Sequence, residues 1–85
     1  MTVYSLEQAN YLIDYYSNKM IGKTIEESML TTITHVDKEP LGNNKYHVVV
    51  FGKVIKQIFY SKQSLDVVAK DLNLLSPGEV LKGRR

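Results

Sequence analysis

Apolar residues recur at spacings of three and four in the first quarter of the chain, the pattern of an amphipathic helix. Ser5 followed by Gln8 fits a capping box, in which each side chain satisfies a backbone N–H at the start of a helix. Gly22 is typical of the residue that ends one. The sequence therefore predicts a helix over residues 5–20. Its buried stripe consists of Leu6, Ala9, Leu12, Ile13, Tyr16 and Met20.

The middle of the chain favours strands, because it is rich in β-branched and aromatic residues. Three strands are predicted, over residues 29–37, 46–51 and 54–60. Turn residues at 40–44 join the first two, and Gly52-Lys53 suits a two-residue turn before the third. With that turn, one face of the hairpin is apolar and is our choice for the core: Tyr46, Val48, Val50, Ile55 and Phe59. The other face is half apolar: His47, Val49, Phe51, Val54, Lys56 and Ile58.

A second helical stripe follows a turn at residues 61–64. It is formed by Leu65, Val68, Ala69, Leu72 and Leu75, and Ser76-Pro77-Gly78 is predicted to break the helix. The fold class is therefore α+β, in the order α-β-β-β-α: a three-stranded antiparallel meander with two helices packed on one face. We expect a single domain over residues 1–75 and a basic tail or short helix over residues 76–85.

The distribution of charged residues along the chain says more about function than the net charge does. The formal net charge is +2, but Lys82, Arg84 and Arg85 lie in the last four residues. No acidic residue occurs between Pro40 and Leu65, a stretch that carries Lys45, Lys53, Lys56 and Lys62 among aromatic residues. Lysines neutralise phosphates and aromatic rings stack on bases, so this stretch is a candidate nucleic-acid surface. Lysines on edge strands that deter aggregation are the alternative interpretation.

Other functional classes find little support in the residues. Gly22-Lys23-Thr24 resembles the end of a phosphate-binding loop, but Ser17 stands where that loop needs its first glycine. His35 and His47 with Asp37 or Glu39 do not guarantee the three ligands that a zinc site requires. We therefore expect no catalytic residues, no metal and no cofactor. With no cysteine, no secretory signal and no apolar membrane span, a cytoplasmic protein without a membrane or small-molecule partner is expected.

The chain resembles two known families, one in the order of its predicted elements and the other in a short sequence segment. The order helix, three strands, helix resembles that of double-stranded RNA-binding domains over about residues 5–75. Those domains open their second helix with a basic cluster, whereas residues 61–66 here contain one lysine. Residues 64–72 followed by Ser76-Pro77-Gly78 are similar to a helix-turn-helix phrase, which implies that Lys82, Arg84 and Arg85 meet phosphates.

The sequence thus predicts a small non-enzymatic binding module with two candidate partners. The first is nucleic acid, and the alternative is a protein partner or homodimer that uses the open sheet face or its edge. A third possibility is that residues 21–29 cover that face. The candidate binding residues are Lys45, His47, Phe51, Lys53, Lys56, Lys82, Arg84 and Arg85.

Overall fold

The computed structural model of the protein describes residues 2–24, 32–53 and 60–83. Within them the chain forms a four-stranded antiparallel sheet and three helices, so the predicted α+β class is confirmed. The elements, in chain order, are β1 (Tyr4–Ser5), α1 (Leu6–Met20), β2 (Thr32–Gly42), β3 (Lys45–Lys53), β4 (Tyr60–Ser64), α2 (Leu65–Asp71) and α3 (Pro77–Lys82).

Helix α1 begins and ends as its sequence predicts. The Gln8 N–H donates to the Ser5 hydroxyl over 3.2 Å, and the Ser5 N–H donates to the Gln8 side chain over 3.0 Å, which completes the capping box. Gly22 follows the helix with φ at +89°. The buried residues are Ala9, Leu12, Tyr16 and Met20. Leu6 is 44% exposed, contrary to the predicted stripe. As the first helical residue after the edge strand β1, it lies at the margin of the sheet.

Strand β3 is the centre of the sheet. Strand β2 pairs along one side of it, while β1 and β4 share the other side. Tyr4 of β1 lies opposite Tyr46, and the β4 partners begin further along at Val49. The predicted three-strand meander is therefore present as β2, β3 and β4, with the short β1 added by the residues that precede α1.

The β2–β3 hairpin turns at Asn43 and Asn44, whose φ angles are +53° and +59°. Positive φ at both central residues is the geometry of a two-residue hairpin turn, and asparagine adopts it at low cost. Because only these two residues turn, β2 continues through Pro40 to Gly42, beyond the predicted end of the first strand.

The predicted turn at Gly52-Lys53 is wrong. Gly52 and Lys53 are the last residues of β3 and pair with Ser61 and Tyr60 of β4. Strand β4 occupies the segment expected to form a turn, and residues 54–59 of the predicted third strand lie outside the described residues. Gly52 also lies opposite Ile33 and is buried. A central strand satisfies its backbone groups on both sides by continuing its pairing, which outweighs the local turn preference of glycine.

Helix α2 is shorter than predicted. It ends at Asp71 because Asn73 adopts a left-handed conformation with φ at +58°. The Leu74 N–H donates to the Ala69 carbonyl and the Asn73 N–H to the Lys70 carbonyl, the pair of bonds in a Schellman motif. Leu75 therefore falls beyond the helix and is 52% exposed rather than buried.

Ser76-Pro77-Gly78 separates α2 from α3, the short helix that was one of the two alternatives for residues 76–85. The Ser76 hydroxyl accepts from the Glu79 N–H over 3.3 Å, and Pro77 occupies the start of α3, where a missing N–H is harmless. Val80 of α3 joins the core. Arg84 and Arg85 lie outside the described residues.

One core lies between the helices and one face of the sheet. Helix α1 packs on β2 and β3, and α3 packs on α1 and α2. Tyr16 is fully buried, and its hydroxyl donates to the backbone carbonyl of Leu75, which ties α1 to the α2–α3 connection. The core residues are Tyr4, Ala9, Leu12, Tyr16, Met20, Ile33, Val36, Val48, Val50, Leu65, Val68, Ala69 and Val80.

Candidate functional site: the reverse face of the sheet

The sheet has a second face, which we call the reverse face, directed away from the helices. Successive side chains of a strand point to opposite faces. Val48 and Val50 belong to the core, so the odd-numbered residues of β3 lie on the reverse face. Residues opposite each other in antiparallel strands share a face. The reverse face therefore includes His35, Asp37 and Glu39 of β2, Lys45, His47, Val49, Phe51 and Lys53 of β3, and Lys62 of β4.

Four of the eight candidate binding residues meet on this face. Lys45, His47, Phe51 and Lys53 form a single row along β3. Lys82 does not join them, because it is exposed on α3, within the helical layer. Lys56, Arg84 and Arg85 lie outside the described residues, so the structure says nothing of their position.

Two aromatic rings form the centre of one half of the face. His35 and Phe51 are cross-strand neighbours whose rings stack with centroids 4.4 Å apart and planes 4° from parallel. The Thr34 hydroxyl donates to the Phe51 carbonyl over 3.2 Å and lies 3.1 Å from His35 Nδ1. His35 is exposed and Phe51 is half-buried, so the pair presents a partly apolar surface to solvent.

An ion pair crosses the face beside these rings. The Lys62 ammonium of β4 contacts the Glu39 carboxylate of β2. Strands lie about 4.8 Å apart, so β2 and β4 are roughly 10 Å apart, and the two side chains must reach across β3 to meet. Glu39 is opposite His47 and Lys62 is opposite Phe51, which places Val49 midway beneath the pair. Val49 is 2% exposed. The ion pair therefore crosses the middle of the face, where Val49 is buried.

Acidic side chains from β2 change the charge expected for this surface. The stretch between Pro40 and Leu65 contains no acid, but pairing with β2 brings Asp37 and Glu39 beside it. The described part of the face holds three lysines and two carboxylates, a formal charge of +1 with both histidines neutral. The alternation of His35, Asp37 and Glu39 along the sequence indicates that these residues share one face of β2. Their position beside the lysines of β3 depends on how the two strands pair, which the local sequence does not reveal.

The outer edge of β2 is closed to a further strand over much of its length. The Lys38 N–H donates to the Asp37 carboxylate over 2.8 Å, and Pro40, two residues on, has no N–H. At the other end, the Ile33 N–H donates to the Lys23 carbonyl over 3.0 Å. Edge strands are commonly protected by proline, bulges and charge, and β2 has all three, with register irregularities at both ends.

No group of three or more His, Asp or Glu side chains in the described ranges is placed to hold a metal ion. His35 and His47 lie at different levels of the sheet, opposite Phe51 and opposite Glu39. In the part of the chain that the structure describes, none of the helices has the length and apolar character needed to cross a membrane.

Comparisons of the chain with protein-family models, with curated proteins and with solved structures found no match. Neither of the two family resemblances in the sequence gains support from them.

Proposed function

We propose that the protein is a non-catalytic protein-interaction module that binds a partner protein through the reverse face. The observation that carries the proposal is the composition of this face. A stacked aromatic pair and a buried valine are surrounded by side chains of both charge signs. Protein interfaces share this anatomy, with an apolar and aromatic centre and a polar rim.

The mixture of charges favours a protein over a nucleic acid. Nucleic-acid surfaces are strongly positive, because affinity comes largely from the neutralisation of phosphates. Here Asp37 and Glu39 lie beside the lysines, and Lys62 already has Glu39 as its counter-ion. A partner with carboxylates and ammonium groups of its own complements such a surface in both signs.

The face is also a better docking surface than the sheet edge. Addition of a strand needs a row of free backbone donors and acceptors. On β2 the Lys38 N–H is already bonded and Pro40 has no N–H. Pairing of a partner strand with the β2 edge is therefore disfavoured relative to contact through side chains of the reverse face.

The proposal is tested by the apparent size of the tagged protein in an extract of the cells that produce it. We expect size-exclusion chromatography to show a complex larger than the free chain, unchanged by nuclease. Phe51→Ser should return the protein to its free size, because it removes the aromatic centre. The matched control is Val67→Ser, which truncates a side chain 48% exposed on α2 and should leave the complex intact. Equal behaviour of the two variants, or free size for the wild type, would contradict the proposal.

Nucleic acid is the second candidate, favoured by one observation. Lys45, His47, Phe51 and Lys53 form one row on one face, so lysines and aromatic rings follow a single strand. Its test is oligonucleotide affinity as a function of salt. Contacts from the described lysines predict a logarithmic slope of about −2 to −3, which Lys45→Gln with Lys53→Gln should reduce by about 2. Binding that is independent of salt, or unaffected by these substitutions, would exclude this candidate.

A further inference from the structure

We infer that His35 and Asp37 form a binding site for an arginine side chain of the partner protein. This inference rests on the proposed function, since it names the group of the partner that the reverse face recognises. It follows from the way the neighbours of His35 position its ring, and from the negative charge beside it.

A β-bulge directs the side chain of His35 to the reverse face. Ile33 and Val36 are both buried in the core, although a regular strand places residues three apart on opposite faces. The register of β2 against β3 shifts between Ile33 and His35, so Thr34 is the extra residue of a bulge. Bulges re-aim side chains in this way beside functional sites. In a regular strand, His35 would share the core face with Ile33.

The neighbours of His35 also fix the position of the proton on its ring. The Thr34 hydroxyl has one proton, which it donates to the Phe51 carbonyl over 3.2 Å. Its oxygen lies 3.1 Å from His35 Nδ1 and therefore accepts from an Nδ1–H. In the neutral imidazole, Nε2 is then a hydrogen-bond acceptor. Because His35 is exposed, this acceptor is available to a partner.

Asp37 adds a negative charge beside this acceptor. It lies two residues from His35 on the same face of β2, a separation of about 6.6 Å, and it is exposed. Its Oδ1 accepts from the Lys38 backbone N–H. No salt bridge between residues that the structure describes involves Asp37, whereas Glu39 is paired with Lys62. The site therefore offers two acceptors, one of them charged, to a cation of the partner.

The lysines of the face lie away from Asp37. Val49 of β3 is opposite Asp37. Lys45 and Lys53 each lie four residues from Val49 along β3, about 13 Å away in opposite directions. Exposed charges at that separation are largely screened at physiological salt, where the Debye length is about 8 Å. A cation bound at Asp37 therefore meets little repulsion from them.

An arginine fits these groups better than a lysine does. Its planar guanidinium has five donors in a fork, which can reach the Asp37 carboxylate and His35 Nε2 together. The same group stacks on aromatic rings, which the His35–Phe51 pair supplies, and it is weakly hydrated. A lysine ammonium is a strongly hydrated point charge. Arginine is also enriched among the residues that dominate binding at protein interfaces.

The test is a titration with N-acetyl-arginine methylamide, followed by nuclear magnetic resonance. The matched ligand is the citrulline analogue, which has nearly the same shape but carries no charge. We expect the arginine compound to shift the signals of His35 and Asp37 with a dissociation constant on the order of 1–10 mM. The citrulline compound should bind at least about fivefold more weakly, because charge-assisted hydrogen bonds are roughly twice as strong as neutral ones.

Two variants of the protein provide the complementary test. His35→Phe keeps an aromatic ring but removes Nε2, and Asp37→Asn removes the charge but keeps an oxygen for the Lys38 N–H. Each should weaken binding of the arginine compound at least about fivefold. Asp14→Asn, at an exposed position on α1, is the control and should bind as the wild type does. Equal affinity for the two compounds, wild-type affinity in either variant, or no saturable shift would overturn the inference.

Thr34→Val tests the positioning of the ring separately. The imidazole nitrogen signals of His35 should show the Nδ1–H form in the wild type and a mixture of both forms in this variant, because the hydroxyl acceptor is gone. An Nε2–H form in the wild type would also overturn the inference. If the complex in the cell extract is lost with Phe51→Ser but withstands His35→Phe and Asp37→Asn, the proposed function survives and only the arginine site is rejected.

Discussion

Two buried tyrosines connect distant parts of the chain through single hydrogen bonds. The Tyr16 hydroxyl donates to the Leu75 carbonyl, and the Tyr4 hydroxyl donates to the Asp66 carboxylate over 3.4 Å. Asp66 also accepts from the Thr2 hydroxyl over 3.1 Å, so the first residues of the chain are held against α2. Burial raises the pKa of Tyr4 to about 12, and the Asp66 charge adds to the effect. Burial likewise raises the pKa of Tyr16, with Tyr15 as the next contribution.

These shifts predict a loss of stability in alkali. An unfolded tyrosine ionises near pH 10, whereas folded Tyr4 keeps its proton to about pH 12. The stabilising effect is therefore complete below about pH 10 and is lost as pH rises towards 12. The midpoint of urea unfolding should fall over this range. Tyr4→Phe with Tyr16→Phe should make the fall shallower, because phenylalanine cannot ionise. An equal fall in both proteins would contradict the assignment to these two hydroxyl groups.

At the scale of elements, signals that act over a few residues predict the structure well. The capping box at Ser5 and the serine at position 76 begin helices, and Asn43-Asn44 lies inside the predicted turn. Signals that depend on distant partners are not visible in the sequence, and Gly52-Lys53 continues as strand because two neighbouring strands pair with it. One local signal is also missing from the prediction: Asn73 ends α2 early, so Leu75 is exposed.

The same distinction between local and long-range signals explains how much of the candidate site could be predicted from the sequence. Alternation along the predicted strand 46–51 places His47 and Phe51 on one face from sequence alone. Lys45 and Lys53 join that face because β3 is longer than predicted. The ion pair over Val49 depends on the register of three strands, which no local pattern fixes. The location of Lys82 likewise depends on how α3 packs against α1 and α2.

Replacement of asparagine by glycine should have opposite effects on stability at two positions, one in the left-handed β2–β3 turn and one inside α1. Asn44→Gly should raise the free energy of unfolding by up to about 1 kcal/mol, because glycine adopts positive φ more readily than asparagine. Asn18→Gly, at an exposed position inside α1, should lower it by roughly 0.5 kcal/mol, because glycine is the poorer helix former. Chemical denaturation measures both changes. Destabilisation by Asn44→Gly would show that this turn does not need its positive φ angles.

The closed edge of β2 leads to a prediction about aggregation. Asp37→Ala frees the Lys38 N–H, and Pro40→Thr restores a donor, so the two together expose a row of unpaired groups. We expect faster growth of light scattering on incubation, with amyloid-type dye binding. Asp14→Ala, which removes an exposed carboxylate from α1, is the control and should behave as wild type. If the double variant scatters no more than the control, the edge is protected by other features.

At the scale of the whole molecule, the two faces of the sheet have different roles. The helical side contains the connected core, in which α1 and α2 pack on the sheet beside Ile33, Val36, Val48 and Val50, and α3 packs on α1 and α2. Among the described residues of the reverse face, Val49 is buried where the Glu39–Lys62 pair crosses the sheet, and His35 is exposed beside Phe51. The connected core thus lies on one side of the sheet, and the proposed recognition surface lies on the other. The charge of that surface is balanced by β2, so its proposed partner is a protein.

Crosslinking from a single position tests this division most directly. A photoreactive amino acid replaces either His47, on the reverse face, or Asn18, exposed on α1, in the cells that produce the protein. The account predicts adducts with a protein, whether a second copy or another chain, from position 47 and not from position 18, unchanged by nuclease. Adducts with nucleic acid, equal yields from both positions, or no adduct from position 47 would contradict it.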